Sequence, residues 1–279
     1  MQKLSRAVGV FALLLAALLW GSSFPAIKIV ISFIDEATYT WVRSAIALTG
    51  MTPYIVYHHW KWGFRRKEVI NGLITGIVYS MGLWLQAWGT KFTTASNSAF
   101  ITGLNVVFVH VYDAVIGKGY QVTALASLFT SITGLYFLTG PRGGMGVGEV
   151  LVLLSAFFWA AQVILVSNFS ESNPFIFTFY EMVPALAFIL LSPGISPSSM
   201  ENLAKVFPLL TYLGLVCSVM AFVFQVYGQR WLRPYEAALI FLLEPVFATF
   251  FSAGFLGEKL AIMEVFGAVS YTHLTLPTN

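Results

Sequence analysis

The chain has 279 residues, 58% of them hydrophobic and 10% charged, with a formal net charge of +3. Soluble domains carry roughly 25% charged residues, so this composition excludes a water-soluble enzyme, a disordered chain and a nucleic-acid binder. The single cysteine, Cys217, excludes an intramolecular disulfide and a zinc site of several thiolates, leaving a polytopic membrane protein.

A helix needs about 20 apolar residues to cross the roughly 30 Å hydrocarbon core. Such runs, broken at charge clusters and at Gly, Pro and Asn punctuation, predict ten spans: 8–31, 36–57, 69–89, 94–116, 120–140, 149–168, 174–193, 207–229, 235–256 and one from 261. Stretches such as Phe11 to Trp20 do not alternate in polarity, which predicts an all-α bundle and not a barrel. Met1 to Trp20 has the basic start and apolar run of a signal peptide, but the run continues to Phe33 and predicts an uncleaved first span. Short-loop charge sets the orientation. With a cytoplasmic N-terminus, Lys3, Arg6, Lys61, Arg65, Arg66, Lys67, Lys118, Arg230 and Arg233 lie inside, against Lys91, Arg142, Lys205 and Lys259 outside. The expected location is a bacterial-type inner membrane. In the tenth span the apolar run stops at Val269, too soon to cross the core, so residues 270–279 are read as a non-native tail and the span as truncated.

The chain repeats itself at an offset of 139 residues, as from Trp20 to Trp159. Leu19-Trp20 falls on Phe158-Trp159, Gln86-Ala-Trp-Gly89 on Gln225-Val-Tyr-Gly228, Ser98-Ala99-Phe100 on Ala237-Ala238-Leu239, and Val107-Phe108 on Val246-Phe247. This divides the chain into a first five-helix repeat (1–140), an external linker (141–148), an incomplete second repeat (149–269) and the tail. Five spans per copy predict that the copies are inserted upside down relative to each other, the inverted duplication of secondary transporters. The glycine-rich stretch from Gly140 to Gly148 follows no strand and lacks a Lys-Ser/Thr end, so it is a linker and not a phosphate cradle.

Several motifs carry a resemblance. Leu19-Trp-Gly-Ser-Ser-Phe-Pro-Ala-Ile-Lys28, Arg43, Ala95-Ser-Asn-Ser-Ala-Phe-Ile-Thr-Gly-Leu104, Glu244-Pro-Val-Phe-Ala248 and Leu256-Gly-Glu-Lys259 together resemble the EamA-type members of the drug/metabolite transporter superfamily, over residues 8 to 269. Two departures stand out: Asn105-Val106 occupies the place of Glu244-Pro245, and the fourth span carries His110 and Asp113. The resemblance implies a gradient-driven or proton-coupled carrier, often an exporter of amino acids or similar metabolites.

Ionisable groups within a bilayer are costly against lipid and are expected to face the bundle interior. Glu244 is the leading candidate: it lies mid-span beside Pro245, which removes a backbone donor and opens the helix. A carboxylate there suits a substrate ammonium or a coupled proton, against the alternative of a structural glutamate. Arg43 and Glu181 are approximate repeat counterparts, read either as a gate or as packing partners. Trp20 and Trp159 are candidate cavity walls, and Gln86, Gln225 and Asn105 are in-span amides that need partners. Pro25 and Pro245 are candidate kinks. Lys28 is expected to snorkel, Trp60 and Trp62 to anchor at the interface, and Gly72-x-x-x-Gly76 to admit a close helix. His58, His59, His110 and His273 lack metal-ligand spacing, so no metal, cofactor or catalytic group is expected. The expected partners are a small-molecule substrate, the lipid bilayer and a proton. A membrane enzyme acting on a lipid or isoprenoid is the alternative, and a scaffold subunit a third reading.

Overall fold

The computed structural model describes residues 2–116, 145–194 and 197–258. The predicted fifth span, most of the linker, the tenth span and the tail lie outside the described residues. Among the described residues eleven α-helices run in chain order: α1 Gln2–Val30, α2 Glu36–Trp62, α3 Arg66–Phe92, α4 Ala95–Gly103, α5 Asn105–Val115, α6 Val147–Phe169, α7 Pro174–Met182, α8 Pro197–Tyr212, α9 Ala221–Gly228, α10 Pro234–Phe241 and α11 Leu243–Leu256. A 3-10 segment, Val183–Leu191, extends α7, and a π segment, Leu213–Met220, joins α8 to α9. Among the described residues there is no strand.

Joined end to end, these elements give seven stretches long and apolar enough to cross a membrane. They are α1, α3, α4 with α5, α6, α7 with its 3-10 extension, α8 through α9, and α10 with α11. Helix α2 equals α3 in length at 27 residues but is more polar. Its Arg43 is only 2% exposed, turned into the bundle as the cost of a lipid-facing charge requires.

Two helices break at nearly equivalent places. The chain between α4 and α5 tightens at Leu104 (φ −65°, ψ −8°), and that between α10 and α11 at Leu242 (φ −63°, ψ −12°). Pro245, in the first turn after the second break, has no N–H to offer the carbonyl of Phe241. The first break has Val106 at that place; both turns close through i to i−3 bonds, Leu104 N to Ile101 O in the first and Leu242 N to Leu239 O in the second. By contrast, α1 runs through Pro25 without interruption.

Close backbone approach at glycines holds the bundle together. A Cβ on Gly89 of α3 would lie 2.7 Å from the carbonyl oxygen of Gly148 on α6, and one on Gly148 would lie 2.9 Å from that of Gly89. Gly9 of α1 and Gly228 of α9 meet in the same way, at 3.1 and 2.8 Å. The two crossings exchange under the 139-residue offset. Gly72 and Gly76 seat α3 against Phe177, Tyr180, Glu181 and Pro184, the close helix expected of that motif. Lipid tails are as apolar as leucine, so such van der Waals contact is what drives helix association.

Polar side chains tie the bundle ends. At one end Lys28 Nζ donates to the carbonyls of Thr90 (2.8 Å) and Thr93 (2.7 Å), capping the C-terminus of α3 where a snorkelling lysine was expected. Beside it, the Glu258 carboxylate accepts from the backbone of Ala95 and Ser96 and from the Ser96 hydroxyl at the start of α4. At the opposite end, Arg6 pairs with Glu236 (2.5 Å), and Arg230 donates to the carbonyls of Ser170 (2.6 Å) and Ser172.

Candidate functional site

A cavity lies inside the bundle, walled by Trp20, Ser23, Arg43, Leu83, Gln86, Thr102, Asn105, Trp159, Gln162, Val163, Phe222, Phe241 and Glu244. Ten of these thirteen residues fall into pairs 139 apart: Trp20 and Trp159, Ser23 and Gln162, Leu83 and Phe222, Thr102 and Phe241, Asn105 and Glu244. The two broken helices contribute the last pair directly after their breaks.

Six of the eight sequence-derived polar and aromatic candidates line this cavity: Trp20, Arg43, Gln86, Asn105, Trp159 and Glu244. The other two, Glu181 and Gln225, stand behind the wall. Gln162 bridges to them, donating to Glu181 Oε1 at 2.6 Å and to Gln225 Oε1 at 3.0 Å while accepting from Gln225 Nε2 at 2.9 Å. Glu181 is fully buried, and its Oε2 has no partner among the described residues. Pro245 touches the wall from outside, its Cγ closing the space beside Gly103, while Pro25 is not among the lining residues.

Arg43 and Glu244 are the ionisable groups of the described wall, and they are not paired with each other. The arginine is held by neutral oxygens: Nε donates to Ser218 Oγ at 2.7 Å, and Nη1 donates to the Tyr39 hydroxyl. Glu244 is 8% exposed and accepts no hydrogen bond from a described residue. A buried charge without a counter-charge carries an uncompensated desolvation cost, so each suits a ligand group of opposite sign.

The aromatic walls are unequal. Trp20 stacks edge-on with Phe222 (4.9 Å) and Phe241 (5.1 Å) and donates Nε1 to the carbonyl of Cys217 at 3.1 Å. That carbonyl belongs to the π segment, whose i to i+5 geometry shifts the local backbone bonding. The facing helix α3 is regular, and Trp159 Nε1 has no partner among the described residues. Asn105 Oδ1 is likewise without one, whereas Gln86 donates to Thr102 Oγ1 at 3.1 Å.

Sequence reasoning missed Gln162, Ser23, Thr102, Ser218 and Tyr39. The repeat offset held a signal for the first two, since it carries Ser23 onto Gln162. Tyr39 lies four residues before Arg43 on α2, a helical spacing readable in the sequence, whereas nothing comparable marks Ser218, which meets Arg43 only through the packing of α2 on the π segment. His110 Nδ1 bonds the Val106 carbonyl of its own helix at 2.7 Å and does not reach the cavity wall.

Comparison with known proteins adds a lineage. The model of the EamA-like transporter family matches twice, over residues 7–140 and 146–271. An uncharacterized transporter of Archaeoglobus fulgidus is 31% identical, with 92% of this chain and 80% of the relative covered. The uncharacterized transporter YyaM of Bacillus subtilis is 23% identical, over 89% of this chain and 86% of its own length. A solved crystal structure superposes with a TM-score of 0.70 at 14% identity, covering 96% of this chain and 94% of the other, which is a likeness of fold alone.

Proposed function

The chain belongs to the EamA-like transporter family, a multi-pass membrane protein by its apolar helices, and from that premise we propose that it is a secondary transporter of small organic metabolites. The proposed substrate carries both signs of charge, as amino acids do. One observation carries this reading: Arg43 and Glu244 line one cavity, each without an ionic partner among the described residues. A substrate carboxylate directed at Arg43 and an ammonium at Glu244 supplies both missing counter-charges. The aromatic faces of Trp20 and Trp159 favour the ammonium further.

We read the chain as a carrier and not as an enzyme, working by alternating access between two inverted five-helix halves. The pairing of wall residues at one repeat offset supports that division, as do the two exchanged glycine crossings. The proposed membrane is the bacterial inner membrane with the N-terminus in the cytoplasm, from the basic bias of the end holding Arg6, Arg65, Arg66 and Arg230. The proposed direction is export, driven by protons that compete with the ammonium group for Glu244.

The test is counterflow in proteoliposomes with labelled amino acids, their methyl esters and their deaminated acids. Zwitterions are expected to exchange faster than either singly charged analogue. Glu244→Gln keeps the volume and loses the charge, so it is expected to insert normally and to lose most proton-driven transport. Wild-type transport with unchanged pH dependence in that variant overturns the assignment.

A further inference from the structure

An open cleft lies at the bundle end that holds the start of α1. Its described wall includes Arg6 of α1, Arg230, Trp231 and Arg233 of the α9–α10 link, and Tyr235 and Glu236 in the first turn of α10. Three guanidinium groups therefore meet one carboxylate, which leaves an excess of two positive charges among these residues.

The carboxylate is already engaged on both oxygens. Glu236 Oε1 takes Arg6 Nη2 at 2.5 Å, and Oε2 takes the backbone N–H of Arg233 at 2.8 Å. Arg230 is fixed by the carbonyls of Ser170 and Ser172 and by the ring of Tyr227, 5.9 Å from its guanidinium carbon. Those partners orient the group without cancelling its charge. The Arg233 side chain is exposed and has no ion pair among the described residues.

Depth decides what such a site meets. The apolar spans that flank it begin at Leu4 and Pro234 and end at Gly228, so the arginines sit at or near the ends of spans, on the headgroup side of the roughly 30 Å core. Trp231, 44% exposed, stands at the same level, where indole rings favour the headgroup region. Basic pockets at helix ends in that layer attract phospholipid headgroups, which are present there at a local concentration no dissolved anion reaches. We propose that this pocket binds the phosphate of an anionic phospholipid, with Arg230 as the fixed anchor and Arg6 and Arg233 closing on the headgroup. The occupant differs from the transported solute, and the proposal does not depend on the transport reading.

The test is native mass spectrometry of the full chain released from mild detergent, titrated in parallel with phosphatidylglycerol and phosphatidylcholine. Wild type is expected to retain the anionic lipid preferentially. Arg233→Gln is expected to weaken its retention about fivefold, the usual worth of one arginine near anionic lipid. Arg6→Gln is expected to weaken it further, because it also exposes the Glu236 carboxylate to the pocket. The double variant Arg65→Gln/Arg66→Gln removes equal or greater charge from the same end of the bundle and is expected to leave retention unchanged. Equal retention of the two lipids overturns the proposal, as does a loss in the double variant as large as in Arg233→Gln. Inorganic phosphate that displaces the lipid at millimolar concentration assigns the pocket to a dissolved anion and overturns the lipid. Unaltered elution in size-exclusion chromatography verifies that each variant is folded.

Discussion

Replacing Gly89 by alanine tests whether the α3–α6 crossing depends on direct backbone contact. The new methyl carbon would lie 2.7 Å from Gly148 O, 2.8 Å from Val152 N and 2.6 Å from Val152 Cγ2. Ordinary contact needs about 3.4 Å or more, and two of the three obstacles are backbone atoms that cannot swing aside. The helices must therefore part by more than half an ångström along an interface stabilised by close contact. Overpacking of this kind costs about 1–3 kcal/mol. Against it stands the helix preference of alanine over glycine, worth up to about 1 kcal/mol. Gly254 of α11 provides the matched control, since a Cβ there meets no described residue within 4 Å. Gly254→Ala is expected to be neutral or slightly stabilising, and Gly89→Ala to fall below it by about 1–3 kcal/mol. Thermal and denaturant unfolding of both variants in one detergent measure the difference. If Gly89→Ala is as stable as Gly254→Ala, the crossing is looser than described and the glycine argument fails.

Gln162→Leu removes the donor to Glu181 and both bonds to Gln225, and an unsatisfied buried carboxylate costs about 1–3 kcal/mol or more. Pairing it with Glu181→Leu is expected to recover part of the lost thermal stability, and an additive double variant refutes the network. Trp20→Phe loses the bond to Cys217 O and is expected to cost about 1 kcal/mol. Trp159→Phe loses no described bond and is expected to affect substrate affinity more than melting temperature. For topology, a cysteine at position 66 in a Cys217→Ala background is expected to react with impermeant maleimide only from the cytoplasmic side. Labelling from outside reverses the proposed orientation.

The eight predicted spans within the described residues each coincide with helical structure, because long apolar runs and their punctuation are set by the bilayer's thickness. The cavity was legible where the residue type alone is expensive in lipid, as for Arg43 and Glu244, or where the repeat marks it, as for Trp20 and Trp159. Pro245 announced the break at Leu242. The matching break at Leu104 had no such sign, since Val106 retains its N–H. Lys28 illustrates the converse error. Its position near a span end suggested snorkelling, but three residues at the C-terminus of α3 offer carbonyls within its reach. Whether a long side chain finds water or a neighbouring helix end is a tertiary outcome that no local pattern encodes.

The π segment makes the two sides of the cavity chemically distinct. A duplicated carrier with identical halves would rest equally in its two facing states, since exchanging the halves would exchange the states at no cost. Here one tryptophan is tethered to Cys217 O, and the other has no tether. A single hydrogen bond of about 1 kcal/mol, made in one state and lost in the other, tilts such an equilibrium roughly fivefold. Glu244 opposite Asn105 tilts it again, through charge. On the proposed alternating-access reading, small departures from repetition of this kind give the carrier a preferred resting direction.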